Sequence, residues 1–363
     1  MSTRVEGALR EELERGVASG VFPGASACVG FWQGSQWHYR DVAAGVLGAG
    51  LGPVQHDSFY DLASLTKPFV AAAALRLHQT GAFPLDARVA ASVPEAASQS
   101  IGDRTWEEVL SHRSGLEAWV PFYESLEAAP GSEDASAWLL AELLPHWDHS
   151  SVGAPVYSDL GYMLAGVALG RSAGVSLPAL VAREVTKPLG IQEGAFYGVA
   201  LEDDGWKQDC APTGYSPWRD RSLRGEVHDD NCAALGGVAG HAGMFGRAYD
   251  VARFGAAQVG ALAGRLGALE EERVRHAVAR RPGGTHRLGW DGKADEGSSA
   301  GRLIDADAFG HLGFTGTSLW CDPRREVVVA LLTNRVTVSD DNAGIRAFRP
   351  RFHDALFEVF DGF

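Results

Sequence analysis

The sequence predicts an α/β protein of the α+β kind, with terminal helices flanking an antiparallel sheet of five or more strands and an inserted all-α domain. Three features of the 363-residue chain predict it: strand patterns near both ends, helical patterns through the middle, and a helix pattern at each end. Because strands at opposite ends cannot pair locally across the insert, they most simply share one sheet. We expect residues 1–66 and 290–363 to form the sheet domain, residues 67–289 the mainly helical domain, and the functional site to lie at their interface.

The first elements of the sheet domain are a helix and a hairpin. The helix predicted over residues 3–18 has its apolar side chains at steps of four, which gives it one apolar face: Val5, Leu9, Leu13 and Val17. The stretches ASACVGFW and QWHYRDVAAG then flank Gly34 and Ser35, which predicts two strands joined by a tight turn.

Strand patterns return near the C-terminus. GHLGFTG, TSLWCD and EVVVALLT alternate with turn signals such as Asp322-Pro323-Arg324. Residues 350–360 predict a closing helix, with Pro350 in the first turn, where its missing N–H costs little.

Composition predicts a globular protein whose partners are neither nucleic acids nor membranes. The chain is 45% apolar and 21% charged with a formal net charge of −14, whereas phosphate binding needs clustered positive charge. The sequence shows no secretory signal and no apolar run of the ~18 residues that a spanning helix requires, so we expect a cytoplasmic location. The four cysteines lack CxxC spacing, which predicts free thiols, a buried Cys28 and no metal framework.

The stretch Ser64-Leu65-Thr66-Lys67 places a hydroxyl and an amine one helical turn apart, on the same face of a helix. The helix that follows, PFVAAAALRL, is apolar on nearly all sides and is therefore predicted to be buried. Ser64 would then lie at a helix N-terminus, where free N–H groups favour developing negative charge.

Two further stretches carry side chains suited to acyl transfer. Tyr157-Ser158-Asp159 again precedes an apolar helix, and a lysine ammonium beside Tyr157 would lower the pKa of the phenol. Such a tyrosine can act as general base or general acid on a serine hydroxyl. His311-Leu312-Gly313 lies on a predicted strand whose glycines allow a substrate to approach the backbone closely.

These three motifs in this order, SxxK, then YxN/D, then K/H-x-G on a late strand, resemble the serine β-lactamase and penicillin-binding-protein superfamily. The resemblance is narrower to the class C β-lactamase branch with its related esterases and D-amino-acid peptidases, and it covers nearly the whole chain. Four spacer segments also resemble that branch: VLSHRSGL, REVTKPLG, GGVAGHAGMFGRAYDVARF and DPRREVVVALLTNR. The resemblance implies an α/β sandwich plus an all-α domain, in agreement with the order of elements.

The resemblance also implies roles for individual residues and no cofactor or metal. Ser64 would be the acylated nucleophile, Lys67 would share its proton network, and Tyr157 would be the base. The backbone N–H groups of Ser64 and Phe314 would form the oxyanion hole. The residues expected to bind substrate are Asp159, His311, Gly313 and Thr315.

Two departures from the family pattern bear on the substrate. Asp159 stands where β-lactamases usually carry asparagine, and His311 and Leu312 replace the lysine and threonine that present charge and a hydroxyl to a substrate carboxylate. We therefore expect a small neutral ester or amide substrate, with esterase-type activity favoured. The alternatives are a β-lactamase, a D-aminoacyl peptidase or DD-carboxypeptidase and, outside enzymes, a catalytically silent ligand-binding homologue. The sequence carries no signal for the oligomeric state.

Two other motifs have alternative interpretations. Residues 297–301 read GSSAG, a literal GxSxG, but they lie in a polar loop rather than on the strand-to-helix elbow that makes this serine a nucleophile in α/β-hydrolases. Residues 228–231, HDDN, could suggest metal ligands, although a capped loop that enters an apolar segment explains them as well.

Overall fold

The computed structural model describes residues 2–126, 129–201, 203–265, 267–339, 341 and 343–361, without the side chains of residues 133 and 134. The α-helices are α1 Ser2–Ala18, α2 Thr66–Gln79, α3 Val89–Ser92, α4 Trp106–Leu110, α5 Glu133–Leu143, α6 Asp159–Ala173, α7 Leu177–Val181, α8 Asp230–Ala234, α9 Ala248–Leu262, α10 Glu271–Val278 and α11 Ala343–Asp361. The strands are β1 Gly24–Gln33, β2 Gln36–Gly45, β3 Tyr60–Asp61, β4 Ala195–Tyr197, β5 Pro212–Ser216, β6 Arg221–Arg224, β7 Met244–Gly246, β8 Asp291–Gly292, β9 Phe309–Leu312, β10 Ser318–Asp322 and β11 Val327–Thr333.

Within the described residues, six strands form one sheet in the order β2-β1-β11-β10-β9-β8, and every neighbouring pair is antiparallel. Strand β1 pairs with β11 so that Cys28 lies opposite Ala330, and β10 pairs with β9 so that Leu319 lies opposite His311. Strands from both ends of the chain therefore share one antiparallel sheet, which confirms the predicted fold class.

Strand β11 explains why the run EVVVALLT is apolar without alternation. All seven of its residues are buried. Val327, Val329 and Leu331 belong to the core under the terminal helices, whereas the alternating residues of the strand belong to the larger core on the opposite face. Because side chains alternate between the two faces of a strand, a strand covered on both faces needs apolar side chains throughout.

The terminal helices α1 and α11 cover one face of the sheet, as predicted, but α11 begins earlier than expected. It starts at Ala343, so Pro350 lies inside the helix rather than in its first turn. The side chain of Asp341 accepts a hydrogen bond from the Ala343 N–H at 3.0 Å. Ile345 and Phe348 are buried in the added turns, and this burial offsets the cost of about 3 kcal/mol for an interior proline.

The inserted region is mainly helical and contains the buried helix that the sequence predicted. Helix α2 is enclosed along most of its length, and the ring of Phe69 stacks on Phe254 of α9 with centroids 3.9 Å apart. Helix α9 packs on the face of the large sheet opposite the terminal helices. Two small sheets, β3-β7-β4 and β5-β6, were not predicted, because strands of two to five residues are too short to show a periodicity.

Other features of the described chain concern the cysteines and membrane spans. The four cysteines are free thiols and Cys28 is buried, as predicted, and the other three are buried as well. No single helix in the described ranges combines the length and hydropathy of a membrane span, although Asp159–Ala173 and Leu177–Thr186, bent by 76°, meet that test as a pair.

Candidate active site

Ser64 lies in a short 3₁₀ turn, Ala63–Leu65, between β3 and the start of α2. Ala63 has a positive φ of 47°, a conformation that is uncommon for a residue with a side chain. The buried Asp61 holds the turn, because its carboxylate accepts hydrogen bonds from the backbone N–H groups of Ala63 and His228, both at 2.7 Å. This turn presents the Ser64 hydroxyl at the mouth of α2.

Lys67 is completely buried one turn beyond Ser64 and is surrounded by oxygen atoms. Its Nζ donates to Ser64 Oγ at 2.9 Å and to the carbonyl of His241 at 3.3 Å, and it forms an ion pair with Asp159 at 2.6 Å. Burial acts to lower the pKa of Lys67, but Asp159 and Tyr157 raise it by more, so the net shift is upward. Lys67 is therefore an ammonium at neutral pH.

Tyr157 approaches the same serine from a separate segment. The Nζ of Lys67 lies 4.9 Å from the centroid of the Tyr157 ring, and Ser64 and Lys67 are both close enough to lower the pKa of the phenol. Burial raises that pKa by more, so the pKa of Tyr157 is above its usual value and the sequence-based expectation of a lowered pKa was wrong. The three side chains nevertheless converge as the motifs predicted.

Asp159 is the first residue of α6. The preceding Ser158 caps this helix, since its hydroxyl accepts a hydrogen bond from the Gly161 N–H at 3.1 Å. A carboxylate is favoured in the first turn of a helix, where the dipole is positive. The start of α6 is therefore a suitable position for the carboxylate that pairs with Lys67.

The predicted third motif forms the opposite wall of the site on β9. His311 is buried, and its Nδ1 lies 2.8 Å from the Leu312 carbonyl, which can only accept, so Nδ1 carries the proton. Burial and the charge of Lys67 lower the pKa of His311 to about 3, so the ring is neutral. A side chain at Gly313 would place its Cβ 2.6 Å from the Leu62 carbonyl oxygen, so only glycine allows β9 to approach the Ser64 turn this closely.

Thr315 is placed differently from the substrate-binding position that the resemblance implied. Its side chain is buried, and its hydroxyl donates to the Asp61 carbonyl at 2.7 Å. The Thr317 hydroxyl donates to the Leu62 carbonyl at 3.1 Å in the same way. Both hydroxyls tie the turn after β9 to the turn that carries Ser64.

Two arginines hold the same turn from the outside. Arg349 of α11 is buried and donates to the carbonyls of Gly313 at 3.0 Å and Thr317 at 2.7 Å. Arg335 donates to the Phe314 carbonyl at 2.9 Å through Nε and again through Nη2. The Gly313 carbonyl belongs to the same peptide group as the Phe314 N–H, so Arg349 fixes the orientation of that N–H.

These walls enclose a cleft of about 710 Å³. Its lining includes Ser64, Tyr157, Asp159, His286, His311, Gly313, Phe314, Arg346 and Arg349. Among the described residues, neither the Ser64 N–H nor the Phe314 N–H has a hydrogen-bond acceptor within the protein. Both groups are therefore available to a ligand in the cleft.

The structure also distinguishes between the interpretations of the GSSAG and HDDN motifs. Gly297, Ser298 and Ser299 of the literal GxSxG form a loop that lines the cleft, with no strand-to-helix elbow. Asp229 caps α8 by accepting from the Cys232 N–H at 2.7 Å, as the capped-loop interpretation predicted, and it also binds the buried His241 at 2.9 Å. Within the described ranges, no group of three or more His, Cys, Asp or Glu side chains has the arrangement to hold a metal ion.

Sequence reasoning did not find several residues around the site. His112 packs on the Tyr157 ring, His286 and Arg346 line the cleft, and Arg349 holds its backbone. Only His112 lay in a segment noted for its family resemblance, VLSHRSGL. The arginines gave no signal, because their positions depend on how α11 packs on the sheet.

The fold is shared with a class C β-lactamase from Rhodobacter sphaeroides, with a TM-score of 0.72 and 18% identity over 98% of this chain and 99% of that chain. It is also shared with EstCE1, a hydrolase with promiscuous acyltransferase activity, with a TM-score of 0.76 and 18% identity over 98% of this chain and 99% of that chain. The molecule therefore has the class C β-lactamase-like fold.

Sequence comparison is more specific than fold. The Beta-lactamase family matches residues 9–349, so the chain belongs to the β-lactamase family, whose members are serine hydrolases. The chain is also 29% identical over 306 residues to the N-acetylmuramyl-L-alanine amidase of Bacillus subtilis, which covers 77% of this chain and 68% of that protein. The resemblance identified from the three motifs is confirmed.

Proposed function

We propose that this protein is a serine hydrolase in which Ser64 is acylated by a small ester or amide and then released by water. The phenolate form of Tyr157 accepts the Ser64 proton as Oγ attacks the substrate carbonyl carbon, and the resulting phenol later protonates the leaving group. The N–H groups of Ser64 and Phe314 bind the oxyanion. Water then attacks the acyl-enzyme with Tyr157 as base, which releases the acid and restores the serine.

The observation that carries this proposal is the 2.9 Å contact between the buried Lys67 ammonium and Ser64 Oγ. A positive charge at this distance stabilises both the developing alkoxide and a phenolate on Tyr157. Asp159 keeps Lys67 protonated, so the proton acceptor is Tyr157 in its phenolate form, which is the minor form at neutral pH because the pKa of Tyr157 is raised.

For the substrate, we favour an ester whose acyl group is uncharged. His311 is neutral and the side chain of Leu312 cannot form a hydrogen bond. The third motif therefore offers neither a positive charge nor a hydroxyl to bind a substrate carboxylate. The similarity in fold to the hydrolase EstCE1 is consistent with this choice.

A second candidate is an amide or β-lactam that carries a carboxylate. Arg346 is exposed on α11 and lines the same cleft, where it could bind an anionic group in place of the missing lysine. The similarity to an amidase of Bacillus subtilis supports an amide substrate, which would include peptides as well as penicillins.

The nucleophile is tested by comparing two serines of the same cleft. Ser64→Ala should abolish hydrolysis of p-nitrophenyl butyrate and remove the mass adduct that a fluorophosphonate leaves on the wild type. Ser299→Ala is the matched control, because Ser299 lines the same cleft and, among the described residues, no hydrogen bond joins it to a lysine, so this variant should keep the adduct. An adduct that survives Ser64→Ala would refute the assignment.

The substrate class is tested by side-by-side rates on p-nitrophenyl butyrate, a chromogenic cephalosporin and a peptide ending in two D-alanines. The favoured proposal expects the ester to have the highest kcat/KM. A higher value for either carboxylate-bearing substrate would select the second candidate, and acylation without turnover on all three would indicate a ligand-binding homologue.

A further inference from the structure

His112 lies in a buried turn two residues after α4, next to the segment that carries Tyr157. Its φ is +60°, a left-handed conformation that is uncommon for a residue other than glycine. The residue is 4% exposed. Strained backbone of this kind persists only where the surrounding contacts determine it, and it is concentrated at functional sites.

The contacts that hold His112 are made by the two residues on either side of Tyr157. The Val156 N–H donates to the His112 carbonyl at 3.0 Å, and the Ser158 N–H donates to His112 Nδ1 at 3.0 Å. The left-handed conformation points the carbonyl and the ring of one residue at two N–H groups that are two positions apart. His112 therefore fixes the backbone immediately before and after the tyrosine.

The imidazole also packs on the tyrosine itself. The ring centroids of His112 and Tyr157 are 4.6 Å apart with planes inclined at 36°. Since Nδ1 accepts from a backbone N–H, it carries no proton, and the proton of the neutral ring is on Nε2. Burial, and then the positive charges around it, hold the pKa of His112 well below its usual value, which keeps Nδ1 an acceptor.

The groups that face His112 come from several elements, and the cationic ones disfavour a second proton on the ring. The titratable and charged side chains around it are Lys67, Arg113, Tyr157, Tyr162, His286 and His311.

We propose that His112 is a positioning residue that holds the Tyr157 hydroxyl against Ser64 and Lys67 through its Nδ1 acceptor and its left-handed backbone. The inference rests on the proposed function, because it assigns to Tyr157 the transfer of the serine proton. It concerns a residue outside the three motifs, one that does not itself line the cleft.

Two variants separate the acceptor from the ring. His112→Phe keeps a ring against Tyr157 but leaves the Ser158 N–H without an acceptor. His112→Asn loses the ring, keeps an oxygen near the position of Nδ1, and tolerates a positive φ better than most residues. His353→Phe is the control for replacing a buried histidine, because His353 is fully buried beside Phe352 and its ring nitrogens have no partner among the described residues.

On p-nitrophenyl butyrate, His112→Phe should lower kcat by about 10²-fold with little change in KM, the loss that a misplacement of about 1 Å causes. The acid limb of kcat/KM should move to higher pH, because a displaced phenol loses the effect of Lys67 that lowers its pKa. His112→Asn should recover most of kcat and return the acid limb of kcat/KM to its wild-type pH. His353→Phe should match the wild type in both. Equal losses in the Asn and Phe variants, or no loss in the Phe variant, would overturn the proposal.

An activity-independent measurement separates this inference from the proposed function. The Cζ resonance of isotope-labelled Tyr157, assigned by its absence from Tyr157→Phe, should shift at neutral pH in His112→Phe and return in His112→Asn. If the resonance behaves in this way but wild-type Ser64 takes no fluorophosphonate, the positioning is correct and the proposed function is wrong. An unchanged resonance in His112→Phe contradicts the positioning whatever the activity.

Discussion

Each of two walls of the cleft contains a buried cation, but only one of these cations has a carboxylate partner among the described residues. The proton-transfer wall, which we define as Lys67, Tyr157 and Asp159, contains a buried cation whose carboxylate partner lies 2.6 Å away. The oxyanion wall, which we define as residues 313–317 with Arg349, contains a buried cation whose guanidinium donates to backbone carbonyls. In the described part of the chain, no carboxylate lies within ion-pair distance of Arg349.

The difference suggests a division of labour between the walls. A compensated cation keeps a fixed protonation state through a catalytic cycle, because its partner raises the free-energy cost of losing the proton. An uncompensated cation leaves a positive field at a site where negative charge develops, and it polarises the peptide group whose N–H faces the cleft. We infer that the first wall moves protons and the second stabilises the oxyanion, and four variants test that division.

The largest effect is expected for Lys67→Met, which should lower kcat/KM on p-nitrophenyl butyrate by about 10³-fold, within the range for loss of acid–base catalysis. It should also destabilise the protein by about 3 kcal/mol in denaturant unfolding, because it leaves Asp159 largely buried and unpaired. The double variant Lys67→Met/Asp159→Asn is the control. It should regain stability without activity, and recovery of both would show that Lys67 acts only on the fold.

Arg349→Met should lower kcat/KM by about 10- to 100-fold, less than the ~10²–10³ that loss of a complete oxyanion donor costs. The specific readout is the rate ratio between an ester and its thiono analogue, in which sulfur replaces the carbonyl oxygen. Sulfur is a poor acceptor, so the wild type should prefer the ester strongly and the variant should prefer it less.

Arg287→Met is the matched control for that experiment. Arg287 is also buried and donates to backbone carbonyls, those of Val278 at 2.7 Å, Ala308 at 3.2 Å and Asp307 at 3.5 Å, but it does not line the cleft. It should reproduce any loss of stability and leave the ester-to-thiono ratio unchanged. The same fall in the ester-to-thiono ratio for both variants would show that Arg349 has no specific effect on the oxyanion.

The sequence anticipated the two walls unequally. The spacing predicted that Ser64 and Lys67 share a face, because a serine and a lysine one turn apart need no tertiary information to do so, and the family resemblance implied that Tyr157 joins them. Arg349 was not predicted, since the helix was expected to begin at Pro350, and its contact depends on the capping by Asp341 and on packing against the sheet.

Burial explains the other differences between the expected site and the observed one. The charge of Lys67 near Tyr157 was readable from the motifs, but the desolvation that raises the pKa of the phenol depends on enclosure by the whole fold. Thr315 was likewise carried over as a substrate contact, whereas its hydroxyl is used to tie two turns together. In the sheet, by contrast, strand patterns and turn signals at both ends of the chain were sufficient to predict the fold class.

Asp159→Asn should have a smaller effect at neutral pH and a clear one at alkaline pH. Asp159 raises the pKa of Lys67, and a raised pKa keeps the ammonium to higher pH, so without Asp159 burial dominates and the pKa falls. The alkaline limb of kcat/KM should therefore move to lower pH by about 1–3 units. A rise in activity as Lys67 loses its proton would instead make the neutral amine the base and would exchange the roles of Lys67 and Tyr157.

The smallest effect is expected for Arg346→Ala, which tests whether the charge of the oxyanion side extends to substrate binding. Arg346 is exposed, so a contact with a substrate carboxylate should contribute no more than about 1 kcal/mol, or about fivefold in KM. The neutral ester is the internal control and should be unaffected, because it has no carboxylate. A rise in KM for the cephalosporin alone would show that Arg346 binds anionic substrates. The same KM change for the cephalosporin and the ester would show that the positive charge of this wall acts on the oxyanion and not on a substrate carboxylate.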